Sequence, residues 1–407
     1  MKWSGLLVVV AMGMGRAWCP DALWAAPPTA DTWSIGDPIV SYWCGPTETM
    51  PLNDRSAAQL QAGGWNLGWA RTIDDLGIYH RHGLRAKLVI GTPDTDDPIQ
   101  AKKLAETIGQ VKDHPALYAY HLIDEPSAKK FPQLGKLVSF LREHDPRHLA
   151  YINLFPTYAS NEQLGTTGDV ATAYREYLRQ FVATVRPGLI SYDHYHFMKE
   201  SDTDQYFLNL AIVREVAHEA GVPFLNVIQS CDSPTEGWRG PNEHEIRWLT
   251  FTSLAYGAKG ICHFRYDLGL CQDVDHPNAL FWPVTRANRD FAAMAVELQS
   301  LRSLGAYHRG PVPKGGLALP DGSPFQIHAD SAGQEVLLGY FGDAIGNPTH
   351  VVVVNLDYRH QVTTILSGRG PLQEFHAPTQ DWSMEDNQGK IHLRLPPGGG
   401  ALVRWRP

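Results

Sequence analysis

The chain has 407 residues, of which 43% are hydrophobic and 19% charged, with a formal net charge of −8 at pH 7. That length accommodates one large domain and one small one, and the composition is that of an ordinary globular chain. The acidic balance and the lack of any Lys/Arg run argue against nucleic acid or an anionic membrane surface as a partner.

At the N-terminus Lys2 precedes a short apolar stretch over 5–14, and small residues follow at Ala25 and Ala26. This pattern predicts an export signal over 1–26 and a secreted or periplasmic mature chain. No run reaches the ~18 apolar residues of a membrane span, so none is expected. Removing the signal removes Cys19 and leaves Cys44, Cys231, Cys262 and Cys271. An oxidising compartment permits disulfides among these, but their spacing fixes no pairing and does not resemble a zinc site.

From residue 37 onward, short apolar runs alternate with longer amphipathic ones. Strands are predicted at 38–44, 64–69, 85–90, 117–123, 149–154, 189–195, 223–229 and 260–266. Most are near-continuous apolar runs, as strands buried on both faces should be. Helices are predicted at 97–112, 131–144, 169–185, 205–220, 242–258 and 284–304. Several end at a helix-stopping Gly or Pro, such as Gly83, Pro146, Pro187 and Gly221. Strand-helix units of about thirty residues imply parallel pairing through helical crossovers, and eight of them imply a closed (β/α)8 TIM barrel over 37–304. The rival, an open doubly wound sheet, lacks its Gly-rich phosphate loop after the first strand.

After residue 305 the helical periodicity stops. β-rich runs at 325–329, 335–341, 350–355, 361–366, 391–395 and 401–405 are separated by Gly and Pro, as in Pro320-Asp321-Gly322. A small all-β sandwich over 305–407 is expected, with no catalytic cluster of its own and a buttressing role.

In such a barrel the reacting groups sit at the carboxyl ends of the strands. The fourth strand runs Tyr118-Ala119-Tyr120-His121-Leu122-Ile123 into Asp124-Glu125-Pro126. Two adjacent carboxylates at a barrel mouth are poorly explained as surface charge. Partial desolvation there lets one of them hold a proton at neutral pH, and glycoside cleavage needs such a donor for the departing oxygen. An acid pair favoured by a helix dipole is the plainer alternative.

Glu125-Pro126 after strand four resembles the acid/base position of clan A glycoside hydrolases, which carry Asn-Glu-Pro there. Tyr192-Asp193-His194-Tyr195 at the end of strand six is similar to the clan's nucleophile-supporting pair. The block from Glu245-Ile246-Arg247 through Tyr256-Gly257-Ala258-Lys259-Gly260 to His263-Phe264-Arg265-Tyr266 resembles family 42-type β-galactosidases. The resemblance covers roughly 37–304 and implies a glycosidase with Glu125 as proton donor.

Two positions depart from the clan. Asp124 stands where the clan has Asn, and strand seven ends in Gln229 where the clan has its nucleophilic Glu. Three routes restore a complete reaction. Glu236 or Asp232, beyond strand seven, supplies the second carboxylate; Asp193 acts as base on water with inversion; or the substrate supplies its own nucleophile. The last follows from a further resemblance, since Asp124-Glu125 is similar to the Asp-Glu pair of family 20 and 123 hexosaminidases. In those, Asp orients a substrate acetamido group while Glu gives the proton.

The same strand-end logic nominates sugar contacts at Trp43, Trp69, Arg71, Asn153, His194, Tyr195, Gln229, Glu236, Arg265 and Tyr266, with Glu48 following strand one. Asp124, Glu125 and Asp193 are the expected catalytic groups, and the expected substrate is an oligo- or polysaccharide. His194 and His196 flank Asp193 in a metal-like spacing, but no third strand offers matching ligands, so neither metal nor cofactor is expected. His263 reads as a core histidine, and no Gly-x-Ser-x-Gly elbow marks a serine nucleophile. A carbohydrate-binding barrel without activity is the alternative, suggested by the missing strand-seven carboxylate.

Overall fold

The computed structural model describes residues 33–43, 47, 50–271, 273–329, 334–384 and 388–405. The expected export signal, Cys44 and Glu48 lie outside them. Eight parallel strands close into a barrel in sequence order: β1 Ile39–Trp43, β2 Leu67–Ala70, β3 Arg85–Val89, β4 Leu117–Asp124, β5 Leu149–Leu154, β6 Ile190–His194, β7 Phe224–Gln229 and β8 Gly260–Phe264. β8 returns to β1, pairing Gly260 through Phe264 with Ile39 through Trp43. β1, β2, β6 and β7 are buried along their whole length, which accounts for their apolar runs.

The helices are α1 Asp54–Ala62, α2 Ile73–Arg81, α3 Pro98–Val111, α4 Phe131–His144, α5 Asn161–Leu164, α6 Val170–Val185, α7 Tyr206–Ala220, α8 Glu243–Ala255, α9 Tyr266–Gly269 and α10 Phe281–Glu297. α1 and α2 were not expected from periodicity. Each is short, and each starts at a capping box, on Asn53 and Thr72 respectively. The second strand starts at Leu67 and not at 64, because Gly64 turns the chain with φ 78°. The last helix ends at Glu297, and residues 302–304 open a strand instead. No helix among the described residues is long and apolar enough to cross a membrane. Cys231, Cys262 and Cys271 are buried.

Ten strands follow among the described residues: β9 Arg302–Arg309, β10 Leu317–Ala318, β11 Gln326–Ala329, β12 Val336–Gly342, β13 Pro348–Asn355, β14 Val362–Ser367, β15 Leu372–His376, β16 Asp381–Trp382, β17 Lys390–Leu395 and β18 Gly400–Trp405. They form a seven-stranded sheet (β10-β9-β12-β13-β18-β15-β16) and a three-stranded sheet (β11-β14-β17). β9, β10, β15 and β16 were not among the expected runs.

The middle of the seven-stranded sheet is buried on both faces, and strand alternation divides its side chains between two cores. Val336, Leu338 and Tyr340 of β12 pack with Val351 and Val353 of β13 against Leu366, Leu393 and Leu395 of the small sheet. The intervening Leu337, Phe341, Val352 and Val354 join the barrel's core instead. Helix α8 is the barrel element they meet. Gly339 marks the closest approach, since a Cβ there would come within 2.1 Å of the Ala255 carbonyl oxygen at the end of α8. The Gly339→Ala variant is therefore expected to lose about 1–3 kcal/mol of stability in urea unfolding, whereas a surface Gly→Ala should not.

Candidate active site

The barrel mouth holds a cavity of about 560 Å³ at the carboxyl ends of the strands, within the ~300–1,000 Å³ usual for small-ligand sites. Asp124, Glu125, Asn153 and Asp193 line it together, on and beside three consecutive strands. How they meet follows from strand geometry. Along β4, His121 faces the barrel interior against Trp43, Trp69 and Tyr151. Strict alternation would then turn Asp124 outward. A bulge intervenes: the register with β5 jumps from His121↔Tyr151 to Ile123↔Ile152, so that Asp124 lies beside Asn153. The extra residue re-aims Asp124 into the mouth.

Glu125 comes next with φ 43°, a left-handed backbone in a residue that is not glycine. Its N–H donates to the Asn153 carbonyl oxygen at 2.9 Å, which holds the strained turn in place. Arg265, beyond β8 at the same rim, is likewise left-handed with φ 62°. Its guanidinium forks onto Asp267 at 2.9 and 2.8 Å, so its charge is already matched by a carboxylate.

The three acids meet at graded depth: Asp193 is buried, Glu125 half-buried and Asp124 open to the cavity. The Asn153 side-chain amide donates to Asp124 Oδ1 at 3.1 Å and to Asp193 Oδ1 at 2.8 Å. The Glu125 carboxyl is in hydrogen-bond contact with that of Asp193. Burial, then the charge of Asp124, pushes the Glu125 carboxyl from its ordinary 4.5 up to about 7, against the opposing hydrogen bond from Asp193. Asp193 is raised well above the usual carboxylate range by burial and by both neighbouring carboxylates. Asp124 is raised by desolvation, opposed by the Asn153 hydrogen bond and by the Lys87 ammonium. Two carboxyls in contact cannot both ionise cheaply, so the Glu125–Asp193 pair holds a proton near neutral pH.

The walls are aromatic. Trp43 lines the floor, edge-on to Trp69 at 4.9 Å. Tyr195, Trp238 and Phe264 form one side, with ring centroids 4.3 Å apart for Tyr195–Trp238 and 4.8 Å for Tyr195–Phe264. Tyr158 faces solvent on the cavity wall, while Asp232 and Glu236 stand exposed at the rim beyond β7.

No protein-family model matches the chain, and no curated protein sequence matches it. Solved structures do. A glycoside hydrolase family 5 protein from Bacteroides vulgatus is similar with a TM-score of 0.53 at 11% identity, over 90% of this chain and 89% of that one. A second structure, named simply a glycoside hydrolase, has a TM-score of 0.53 at 11% identity, over 91% of this chain and 95% of the other. The likeness is one of fold: a barrel followed by a β domain.

Of the residues nominated from sequence, Trp43, Asp124, Glu125, Asn153, Asp193, Tyr195, Glu236 and Arg265 meet at this cavity. Five do not line it. Trp69 is packed beneath Trp43 and donates its indole N–H to the Tyr42 carbonyl oxygen at 2.5 Å. His194, next to Asp193 on β6, points the opposite way and packs on Tyr206 of α7. Tyr266 turns down to donate to Gln59 of α1 at 2.6 Å, and Arg71 is exposed beyond β2.

Gln229 is the most instructive of these corrections. It is fully buried, and its side chain binds only backbone. Its Oε1 accepts from Phe197 N–H at 2.8 Å, and its Nε2 donates to the carbonyl oxygens of Phe197 at 3.0 Å and Arg239 at 2.9 Å. The amide at the end of β7 ties the loop after β6 to the loop after β7. It is a brace for the wall that carries Tyr195 and Trp238.

Sequence reasoning missed Tyr158, Trp238 and Phe264 on the walls, and Lys87 inside the barrel. Lys87 is wholly buried, with its ammonium over the rings of Tyr151 at 4.4 Å, Trp69 at 4.6 Å and Trp43 at 5.4 Å. A lysine at the centre of the apolar run Ala86-Lys87-Leu88 was a legible signal for it.

Two outcomes follow from this geometry. A carboxyl raised in the native state binds more protons folded than unfolded, so stability should fall as pH rises from about 4.5 to about 7, and level off above. The loss is on the order of 3 kcal/mol, read from urea midpoints across that range, and Glu125→Gln should flatten it. Installing a carboxylate by Gln229→Glu should not create a strand-seven nucleophile. It replaces two N–H donors by charge facing two carbonyl oxygens, and is expected to cost about 2–4 kcal/mol with no gain in glycosidase activity.

Proposed function

We propose that this protein is a secreted or periplasmic glycoside hydrolase in which Glu125 gives its proton to the departing glycosidic oxygen. The observation that carries the reading is a carboxyl held protonated near pH 7 at the mouth of the barrel, in contact with Asp193 and beside Asp124. Acid catalysis at neutral pH requires that state of charge. Aromatic rings on the floor and sides supply flat apolar faces for sugar rings, and the carboxylates and Asn153 supply polar partners for hydroxyls. The fold-level likeness to glycoside hydrolases supports the reading by analogy only.

The resting geometry also bears on the second group. Inversion needs carboxyls ~6.5–9.5 Å apart and a double displacement needs ~5–5.5 Å, whereas Asp193 touches Glu125. Asp193 therefore fits a role as keeper of the Glu125 proton better than one as base on water. Asp124 is the carboxylate left open to the cavity, with Asn153 and Lys87 favouring its anion. An anion in that place suits the orientation of a substrate acetamido group, with the substrate as its own nucleophile. Asp232 and Glu236, on the far wall, are the competing source of a nucleophile.

A panel of aryl glycosides tests both levels. Hydrolysis confined to 2-acetamido sugars, with Glu125→Gln and Asp124→Asn each losing at least ~100-fold in kcat, is the expected result. Cleavage of sugars lacking the acetamido group, lost on Asp232→Asn or Glu236→Gln, would transfer the second role to the far wall. Binding of glycans by the wild type with no turnover on any of them would leave a carbohydrate-binding barrel.

A further inference from the structure

We infer that Asn153 is a positioning residue that holds Asp124 as the anion among the three cavity carboxyls and leaves the shared proton to the Glu125–Asp193 pair. The inference rests on the acid-catalytic reading of Glu125, but its geometry stands apart from any substrate. Asn153 sits on β5, between the strand that carries Asp124 and the strand that carries Asp193. Its amide nitrogen has two hydrogens, and each has an acceptor: Asp124 Oδ1 at 3.1 Å and Asp193 Oδ1 at 2.8 Å. Its oxygen accepts from Ser191 Oγ at 2.9 Å.

The acids fix the amide, since the reversed one would set its oxygen against the Asp124 anion and lose both donations. In this orientation Ser191 gives its one hydroxyl hydrogen to Asn153, so in the 2.7 Å contact between Tyr151 and Ser191 the phenol donates. Donors thus run in one direction, from Tyr151 to Ser191 to Asn153 and on to two carboxyls. Asp124, which accepts from Asn153 and faces the Lys87 ammonium, is a poor place for a proton. Asp193 accepts from Asn153 on Oδ1 alone, so its other oxygen can share the proton with Glu125.

The charged and titratable groups around this trio reinforce the same assignment. Lys87 on β3 and Arg265 beyond β8 are the nearby cations; the first favours the Asp124 anion, and the second is matched by Asp267. Asp232 and Glu236 beyond β7 are open to water. Tyr151 and Tyr195, and the imidazole of His121 on β4, are held neutral by burial and do not compete for the proton near neutral pH.

The test reads the carboxyls directly, by 13C titration of Asp and Glu side chains in the full-length protein, alongside the pH profile of kcat/KM on aryl glycosides. In Asn153→Leu the Asp124 carboxyl should titrate higher and Glu125 roughly one pH unit lower, with about five-fold less activity at pH 7 and the alkaline limb moved to lower pH. Ser191→Ala keeps every carboxyl and Asn153 itself, and should shift Glu125 in the same direction by a smaller amount, which keeps the inference testable if the leucine variant does not fold. Titrations in both variants that superimpose on wild type would overturn the inference, as would activity lost equally at every pH. If the shifts appear in a protein that cleaves no glycoside, the role of Asn153 stands and the acid-catalytic reading falls.

Discussion

Three carboxyl groups brought together at one barrel mouth, with insufficient positive charge beside them, set the terms for the rest of this molecule. A single buried carboxylate costs several kcal/mol unless donors or a cation offset it. Here Asp124, Glu125 and Asp193 are converged upon by one amide, one buried ammonium and the proton that they keep. Such a cluster would be a liability in a flexible loop, where the acids would swing apart into solvent. The barrel denies them that escape, because Asp124 and Asp193 end strands hydrogen-bonded to the β5 that lies between them.

Local irregularities convert that rigid frame into a site. Without the bulge in β4, alternation would send Asp124 outward toward the helices, where Tyr120 on the same strand bonds Asp145. Without the left-handed turn at Glu125, the chain would carry its side chain past the mouth. Both features work against local preference, and the next residue, Pro126, disfavours the αR alternative at Glu125. Conflict between local preference and global fold, concentrated at one strand end, is the pattern expected where structure serves chemistry.

The barrel was legible because strands buried on two faces must be apolar along their length, and eight such runs separated by helical periodicity admit few topologies. Short α1 and α2 escaped because periodicity needs more than two turns to show, although their capping boxes were written in the sequence. At the site, adjacency gave Asp124 and Glu125, and strand ends gave Asn153 and Asp193. Strand ends alone misassigned His194 and Trp69, because a terminal residue belongs to the mouth only when its parity points inward. The rim aromatics Tyr158 and Trp238 lie on irregular loops, whose path is set by tertiary contacts and carries no periodic signature.

Those contacts explain why strand seven can end in an amide. Arg239, whose carbonyl Gln229 holds, spreads its guanidinium over Asp202 and Glu245 at 3.2 and 2.8 Å, and over the Phe197 ring at 4.7 Å. Asp202 in turn accepts from the Tyr358 hydroxyl of the β domain at 2.9 Å. Four segments from both halves of the chain therefore converge on the residue beside Trp238, and the cavity wall is fastened to the C-terminal sheet. A carboxylate at position 229 would have to face the Phe197 and Arg239 carbonyl oxygens that the amide now binds. The wall and a strand-seven nucleophile are alternatives at this position, and this chain has the wall. Under the proposed reading the acid chemistry falls to the opposite side of the mouth, where Asp124, Glu125 and Asp193 meet.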